Sequence, residues 1–269
     1  MDFNNIYDLH THSNNSFDGK HSCVLLCEHA IKNGAKGIAI TDHLDIDDPE
    51  LDIRHFTTNQ YVDTFSVKKT FKNVLEVYQG IELGQGIYRK ELSQEIMQKF
   101  KYDIVVGSIH NLENMKDFYF LDYNDYDVND LLKRYFKAEL ELIKWNKCDV
   151  LAHLTYPLRY ICGKYKMKVN LNDYDNEINE ILEALVKYDT ALEVNTSSLY
   201  NYHNDFMPGE SIVKRYKELG GKYVTAGSDA HYCYSVCSNL DAAYALLYKC
   251  GFRYTTVYRN REPFLIELK

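Results

Sequence analysis

The chain has 269 residues, 45% of them hydrophobic and 26% charged, and 31 basic against 39 acidic side chains set a formal charge of −8. That length and balance suit one globular domain over residues 1–269 and exclude a disordered or fibrous chain. The acidic surplus, without any dense Lys/Arg run, speaks against nucleic acid as a partner; a small phosphorylated substrate stays compatible, because bound divalent cations reverse the potential locally.

Seven cysteines, an odd number without a CxxC pair, read as reduced thiols. The first ten residues, MDFNNIYDLH, carry neither the basic nor the apolar region of a signal peptide. No apolar run approaches the roughly 20 residues a membrane span needs. A soluble cytoplasmic protein is expected.

Short apolar runs alternate with amphipathic segments along the whole chain. Residues 6–9 read as a strand, 22–33 as a helix stopped by Gly34, and 37–41 as a second strand. After an Asp-rich loop, 60–71 reads as a helix, 75–83 as a strand, 91–100 as a helix and 103–108 as a fourth strand. Residues 111–127 have no regular period and are expected to form a long, functional loop. A long helix over 128–146 follows, then a strand at 149–152, a helix at 177–187 and a strand at 191–194. The last units are a helix at 210–219, a strand at 222–225, a helix at 239–250, and strand-like material at 253–258 and 264–268.

Seven β-then-α units of this length point to a parallel sheet with helical crossovers. Closure into a barrel is the first expectation and a doubly wound open sheet the second. In both, ligands sit beyond the carboxyl ends of the strands, so chemistry-bearing residues should follow the apolar runs. They do: His10 and His12 follow the first strand, His43 the second, His110 the fourth, His153 the fifth, and Asp229 with His231 the seventh, while Glu82 lies in the third. Any one of these is unremarkable as a surface or core histidine; six of ten histidines at one sheet edge imply a polynuclear metal site. Imidazole and carboxylate suit Zn, Mn or Fe. His10 and His12 share a face if the strand continues, and Glu82 has two oxygens with which to bridge two ions. Two ions about 3.5–4 Å apart activate water and clamp the oxygens of an in-line displacement, so a nucleophilic Ser or Cys is unnecessary, and no GxSxG elbow is present.

Taken in order, DLHTHS (8–13), TDH (41–43), SIH (108–110) with AH (152–153), and GSDAH (227–231) resemble the four motifs of the polymerase-and-histidinol-phosphatase (PHP) superfamily. Length, SNNSFDG (13–19), GIE (80–82) and EVNTS (193–197) look most like its histidinol-phosphate phosphatases, which act in histidine biosynthesis. The resemblance implies an α/β fold, a distorted (β/α)7 barrel, holding two or three divalent ions. Carried over by position, one ion takes His10, His12, Glu82 and Asp229, a second takes Glu82, His110 and His153, and a third takes Asp18, His43 and His231. Many superfamily members have a histidine where Asp18 stands, and Asp18-Gly19 is also a plain turn sequence. Asp8 and Asp42 are expected to orient ligand imidazoles.

Arg159, six residues beyond His153, is a candidate phosphate clamp through its bidentate guanidinium. Asp229, His231 or a water is the candidate proton donor to the departing alkoxide. One departure concerns the segment after EVNT, where a glycine and an arginine are usual in the histidinol phosphatases. Here it reads Ser198-Leu199-Tyr200, leaving His203, Lys164 or Arg253 to supply the missing phosphate contact.

Overall fold

The computed structural model describes residues 3–47, 53–199 and 204–268. Its main sheet is parallel and runs β1 (Tyr7–Asp8), β2 (Gly37–Ile40), β4 (Glu76–Gly84), β5 (Ile104–Ser108), β6 (Val150–Leu151), β7 (Ala191–Asn195) and β8 (Val224–Gly227). A further short strand, β3 (His43–Asp45), pairs with β4. The register shows what β3 is: Ile40 pairs with Gln79 and His43 with Glu82, the same offset, so β2 and β3 form one strand broken at Thr41-Asp42. The open-sheet alternative is excluded at the seam. Leu9 N–H donates to Ala226 O at 3.1 Å, Asp229 N–H to His10 O at 2.8 Å, and Thr11 bridges Ala230 in parallel. Among the described residues the result is a nearly closed, distorted (β/α)7 barrel.

The helices α1 (Cys23–Lys32), α2 (Ile53–Phe71), α3 (Lys90–Lys99), α4 (Val128–Trp145), α5 (Asp175–Lys187), α6 (Glu210–Glu218) and α7 (Leu240–Lys249) pack outside it. Their ends follow local chemistry. Asp127 caps α4 by accepting from Asn129 and Asp130 N–H, and Asn146 ends it in the left-handed region at φ 54°. Leu131, Leu132, Tyr135, Phe136, Leu142 and Ile143 form its buried stripe. Each such side chain contributes about 1.5–3 kcal/mol through burial.

Two sequence expectations need correction. The second helix begins at Ile53, not 60; its inward face carries Thr57, Gln60 and Thr64, all buried, before Val67. Gln60 Nε2 donates to Ile40 O and Gly80 O, tying the helix to β2 and β4 through polar contacts that hydrophobic periodicity cannot register. The seventh barrel strand begins at Val224, two residues later than its apolar run suggests.

The strand-like end of the chain is an antiparallel hairpin, β9 (Tyr254–Arg259) and β10 (Glu262–Glu267). Asn260 and Arg261, at φ 52° and 70°, form its two-residue turn, the mirror-image type that matches strand twist. Val257 and Tyr258 bury among Tyr7, Ile104, Val150 and Ala191, so the hairpin covers the amino end of the barrel. Arg261 with Asp149, and Arg259 with Glu76, pin it there. No described helix is long and apolar enough to cross a membrane. All seven cysteines are free thiols.

Candidate metal centre

Beyond β1 the chain stays extended between its two neighbours. His12 N–H donates to Ala230 O at 2.9 Å, and Thr41 N–H donates to Thr11 O at 2.8 Å. Period-two alternation therefore sends Thr11 outward, where its hydroxyl donates to Ala39 O, and His10 and His12 inward. His43 and Glu82 are direct partners in the β3–β4 ladder. His110 and His153 stand two residues past β5 and β6. Asp229 and His231 follow β8, with Asp229 at φ 53°, a left-handed conformation that aspartate tolerates better than most residues.

The side chains converge. Glu82 Oε2 lies 3.3 Å from His10 Nε2 and 3.5 Å from His12 Nε2, and His12 Nε2 lies 3.3 Å from Asp229 Oδ1. Glu82 Oε1 lies 3.1 Å from both His110 Nε2 and His153 Nε2, which are 3.4 Å apart. A third group joins His43 Nε2 to His231 Nε2 at 3.4 Å and to Asp18 Oδ1 at 3.7 Å, with Asp18 Oδ2 3.0 Å from His231 Nε2. Four donors about 2.0–2.2 Å from one ion stand roughly 3.3–3.6 Å apart, close to these spacings. His10 Nε2, His12 Nε2 and Glu82 Oε2 are buried and make no hydrogen bond, an arrangement that is costly unless a cation satisfies them. The donor set therefore fits two or three divalent ions, with Glu82 as the shared carboxylate.

Neighbouring groups orient the rings. His10 Nδ1 lies 2.7 Å from Glu193 Oε1, and His110 Nδ1 lies 3.0 Å from Asp45 Oδ1, which places the proton on Nδ1 and leaves Nε2 as the lone-pair donor. Ser16 donates to Asp42 Oδ1 and so offers its oxygen to His12 Nδ1 at 3.2 Å. His231 Nδ1 donates to Asp229 O at 2.9 Å. Asp42 thus acts on His12 through Ser16. Asp8 touches no imidazole: it accepts from Ser228 and from Cys237 N–H, and so braces the turn that carries Asp229.

Carboxylates and imidazoles at the centre pull on one another's protons. Burial opposes ionisation of Glu82, yet His110, His43 and His10 hold its carboxyl well below the usual range. Burial likewise lowers His10 and His110, but Glu193 with Glu82, and Glu82 with Asp45, raise them well above an ordinary histidine. Burial, reinforced by His43 and His231, brings His12 down to about 3, so it stands neutral, as a ligand must.

A cavity of about 510 Å³ opens over these donors, lined in part by Asp18, His43, His110, His153, Asp229 and His231. Arg159 lines it too, on a short π-helical turn (Arg159–Lys164), with Nη1 3.3 Å from Ser197 Oγ and 3.9 Å from Asp229 Oδ2. All ten proposed site residues therefore gather in one place. The supporting contacts do not. Arg253 donates to Tyr248 O and Phe252 O, away from the cavity, and Lys164 lies over Tyr119 and Tyr165. His203 falls outside the described residues. Sequence reasoning missed Lys20, Asp117 and Tyr156 in the wall, and the orienting roles of Asp45, Ser16 and Glu193. Asp45 had a signal, since it shares a strand face with His43 two residues earlier.

Comparison with known proteins agrees with this geometry. The PHP domain model matches residues 8–197. A "Probable histidinol-phosphatase" of Clostridium acetobutylicum is 32% identical over 92% of this chain and 95% of its own length. One of Thermotoga maritima is 29% identical over 93% and 94%. In fold, the chain is similar to the crystal structure of histidinol phosphate phosphatase from Lactococcus lactis complexed with Zn, L-histidinol and phosphate. The TM-score is 0.81 at 22% identity, over 96% of this chain and 98% of that one. With a matching family model, the barrel and the clustered donors, the chain belongs to the PHP family of metal-dependent phosphoesterases.

Proposed function

We propose that this protein hydrolyses L-histidinol phosphate to L-histidinol and phosphate, a step of histidine biosynthesis. The observation that carries the hydrolytic part is the division of Glu82, one oxygen toward His10 and His12 and the other toward His110 and His153. His10, His12, Glu82 and Asp229 would hold one ion, Glu82, His110 and His153 a second, and Asp18, His43 and His231 a third. Bound Zn, Mn or Fe supplies Lewis acidity toward the phosphoryl oxygens and lowers the pKa of water. Arg159 binds the phosphoryl group from the side of Asp229, its planar fork matched to two oxygens. Proton delivery to the departing alkoxide falls to Asp229 or His231, both in the cavity wall. The names of the relatives from Clostridium and Thermotoga support the choice of substrate.

A second reading, a phosphatase for another small phosphomonoester, draws on Ser198. This serine stands in the segment where an arginine is usual in the histidinol phosphatases, and its hydroxyl turns to Asp205 O and is not part of the cavity wall, so it does not replace the missing phosphate contact. A "Probable phosphatase" of Aliivibrio fischeri is also 26% identical over 91% of the chain.

Hydrolysis of p-nitrophenyl phosphate before and after chelation, with Zn, Mn or Fe restored, tests the hydrolytic core: activity should vanish and return. L-histidinol phosphate should then exceed p-nitrophenyl phosphate in kcat/KM by at least about 100-fold, equivalent to roughly 2.7 kcal/mol of added transition-state binding. Equal values would remove histidinol phosphate as the substrate.

A further inference from the structure

Among the carboxylates that line the cavity, Asp18 and Asp229 belong to the donor groups already described; Asp117 does not. It stands in the loop between β5 and α4. Its Oδ1 caps a short 3-10 turn (Phe118–Phe120), accepting from Tyr119 N–H at 2.6 Å, and also accepts from the Tyr156 hydroxyl at 3.3 Å. Tyr160 donates in turn to Tyr156 at 3.0 Å. Asp117 makes no ion pair among the described residues, and its Oδ2 has no hydrogen bond there. The Tyr156 ring separates it from the metal donors, with centroids 5.2 Å from His110 and 4.9 Å from His153.

This placement is a problem for a phosphatase unless the substrate resolves it. A cavity that admits a phosphate dianion is helped by Arg159 and Lys20, both in its wall, and hindered by a carboxylate that no cation contacts, the charges of His110 and His43 acting on it only from beyond the Tyr156 ring. Burial already raises the pKa of Asp117, so the charge is held at a cost. A substrate with a positive group beyond the phosphate turns that cost into selectivity, repelling anionic alcohols and leaving neutral ones without a partner for the carboxylate. Tyr119 and Phe120, exposed at the mouth by 53% and 65%, add ring faces that attract a cation.

We propose that Asp117 is a specificity residue that receives a protonated amino group on the alcohol part of the substrate, so that the site selects amino-alcohol phosphates. The assignment rests on the phosphomonoester reading above and names the end of the substrate that reading leaves undefined.

The test uses the metal-loaded enzyme at pH 8, where a substrate imidazole is neutral and an aliphatic ammonium is the cation. Asn at position 117 retains an oxygen for the Tyr119 cap, so D117N removes charge and keeps the turn. D117N should lower kcat/KM for L-histidinol phosphate about 10- to 100-fold, mostly through KM, the range of one charge-assisted hydrogen bond. Its kcat/KM for p-nitrophenyl phosphate should stay within about twofold of wild type. For the wild type, N-acetyl-L-histidinol phosphate should lose the same factor, and D117N should no longer distinguish the two esters. Equal losses on both phosphates, or no loss on either, would overturn the role of Asp117 alone. A wild type that prefers neither L-histidinol phosphate nor any amino-alcohol phosphate over glycerol phosphate would overturn the substrate reading and this inference together. If D117N fails to fold, D117S, which keeps a side-chain oxygen for the Tyr119 cap, is assayed on the same esters with the same expected outcomes.

Discussion

Glu193 holds His10 at one end and the backbone of His153 at the other, with Oε1 2.7 Å from His10 Nδ1 and Oε2 accepting from His153 N–H at 2.9 Å. One carboxylate on β7 thereby aligns donors from two different groups, although it belongs to none of the proposed ligand sets. E193Q preserves the shape and removes the charge that makes His10 a strong donor. Metal affinity should fall about 10- to 100-fold, as measured by competition with a chromogenic chelator. An unchanged affinity would mean that His10 is oriented by packing alone.

Gly227 is required by proximity. A Cβ there would meet Glu193 Oε1 and His10 Cβ, both at 2.4 Å. G227A should cost about 1–3 kcal/mol in urea unfolding and should weaken metal binding in the same step. A variant with normal stability and normal affinity would show that the β1–β8 seam yields more easily than its hydrogen bonds suggest.

R159A should lower kcat/KM for a phosphomonoester about 10- to 100-fold, and R159K should recover only part of it, because an ammonium cannot reproduce two parallel N–H bonds. Its Nη1 also braces Asp229 at 3.9 Å, so metal content must be measured alongside kinetics. Wild-type kinetics in a fully loaded R159A would remove Arg159 from the site.

Glu139 is fully buried on α4, and neither of its oxygens has a hydrogen-bond partner of good geometry. Burial pushes its pKa up to about 8 from an ordinary 4.5, with Tyr135 and His110 acting weakly the other way. The folded state therefore keeps a proton that the unfolded chain releases. The stability it confers is fully present below pH 4.5 and is lost as pH rises toward 8. In urea unfolding at pH 5, 7 and 8.5, the difference between E139Q and wild type should move in favour of the variant by on the order of a few kcal/mol across that interval. A difference independent of pH would show that Glu139 is ionised in the folded protein.

The barrel and most of the candidate metal donors were legible because both follow from apolar runs: each strand is a short hydrophobic stretch, and the histidines, Glu82 and Asp229 sit near or just past its end, whereas Asp18 lies in a bend well beyond β1 and came only from the family resemblance. What escaped obeyed other rules. Strand β3 is only His43-Leu44-Asp45, too short and too polar to show alternation, and the start of α2 buries Thr57 and Gln60 where an apolar stripe was expected. Asp117 lies in a loop without period, so only tertiary contact brings it to the cavity. Glu193 carried a usable sign, a charged residue inside the wholly buried strand ALEVN, where an unpaired carboxylate would be prohibitive.

The β9–β10 hairpin, wedged against Tyr7, Ile104 and Ala191, has a consequence for traffic. With that end stoppered, the proposed reaction would have one doorway for substrate and both products. Phosphate held at the donors would lie deepest and the alcohol nearer the exit, so the alcohol would have to clear before phosphate could follow. Inorganic phosphate should then inhibit competitively and the alcohol noncompetitively, and the reverse pattern would require a back passage past Tyr258.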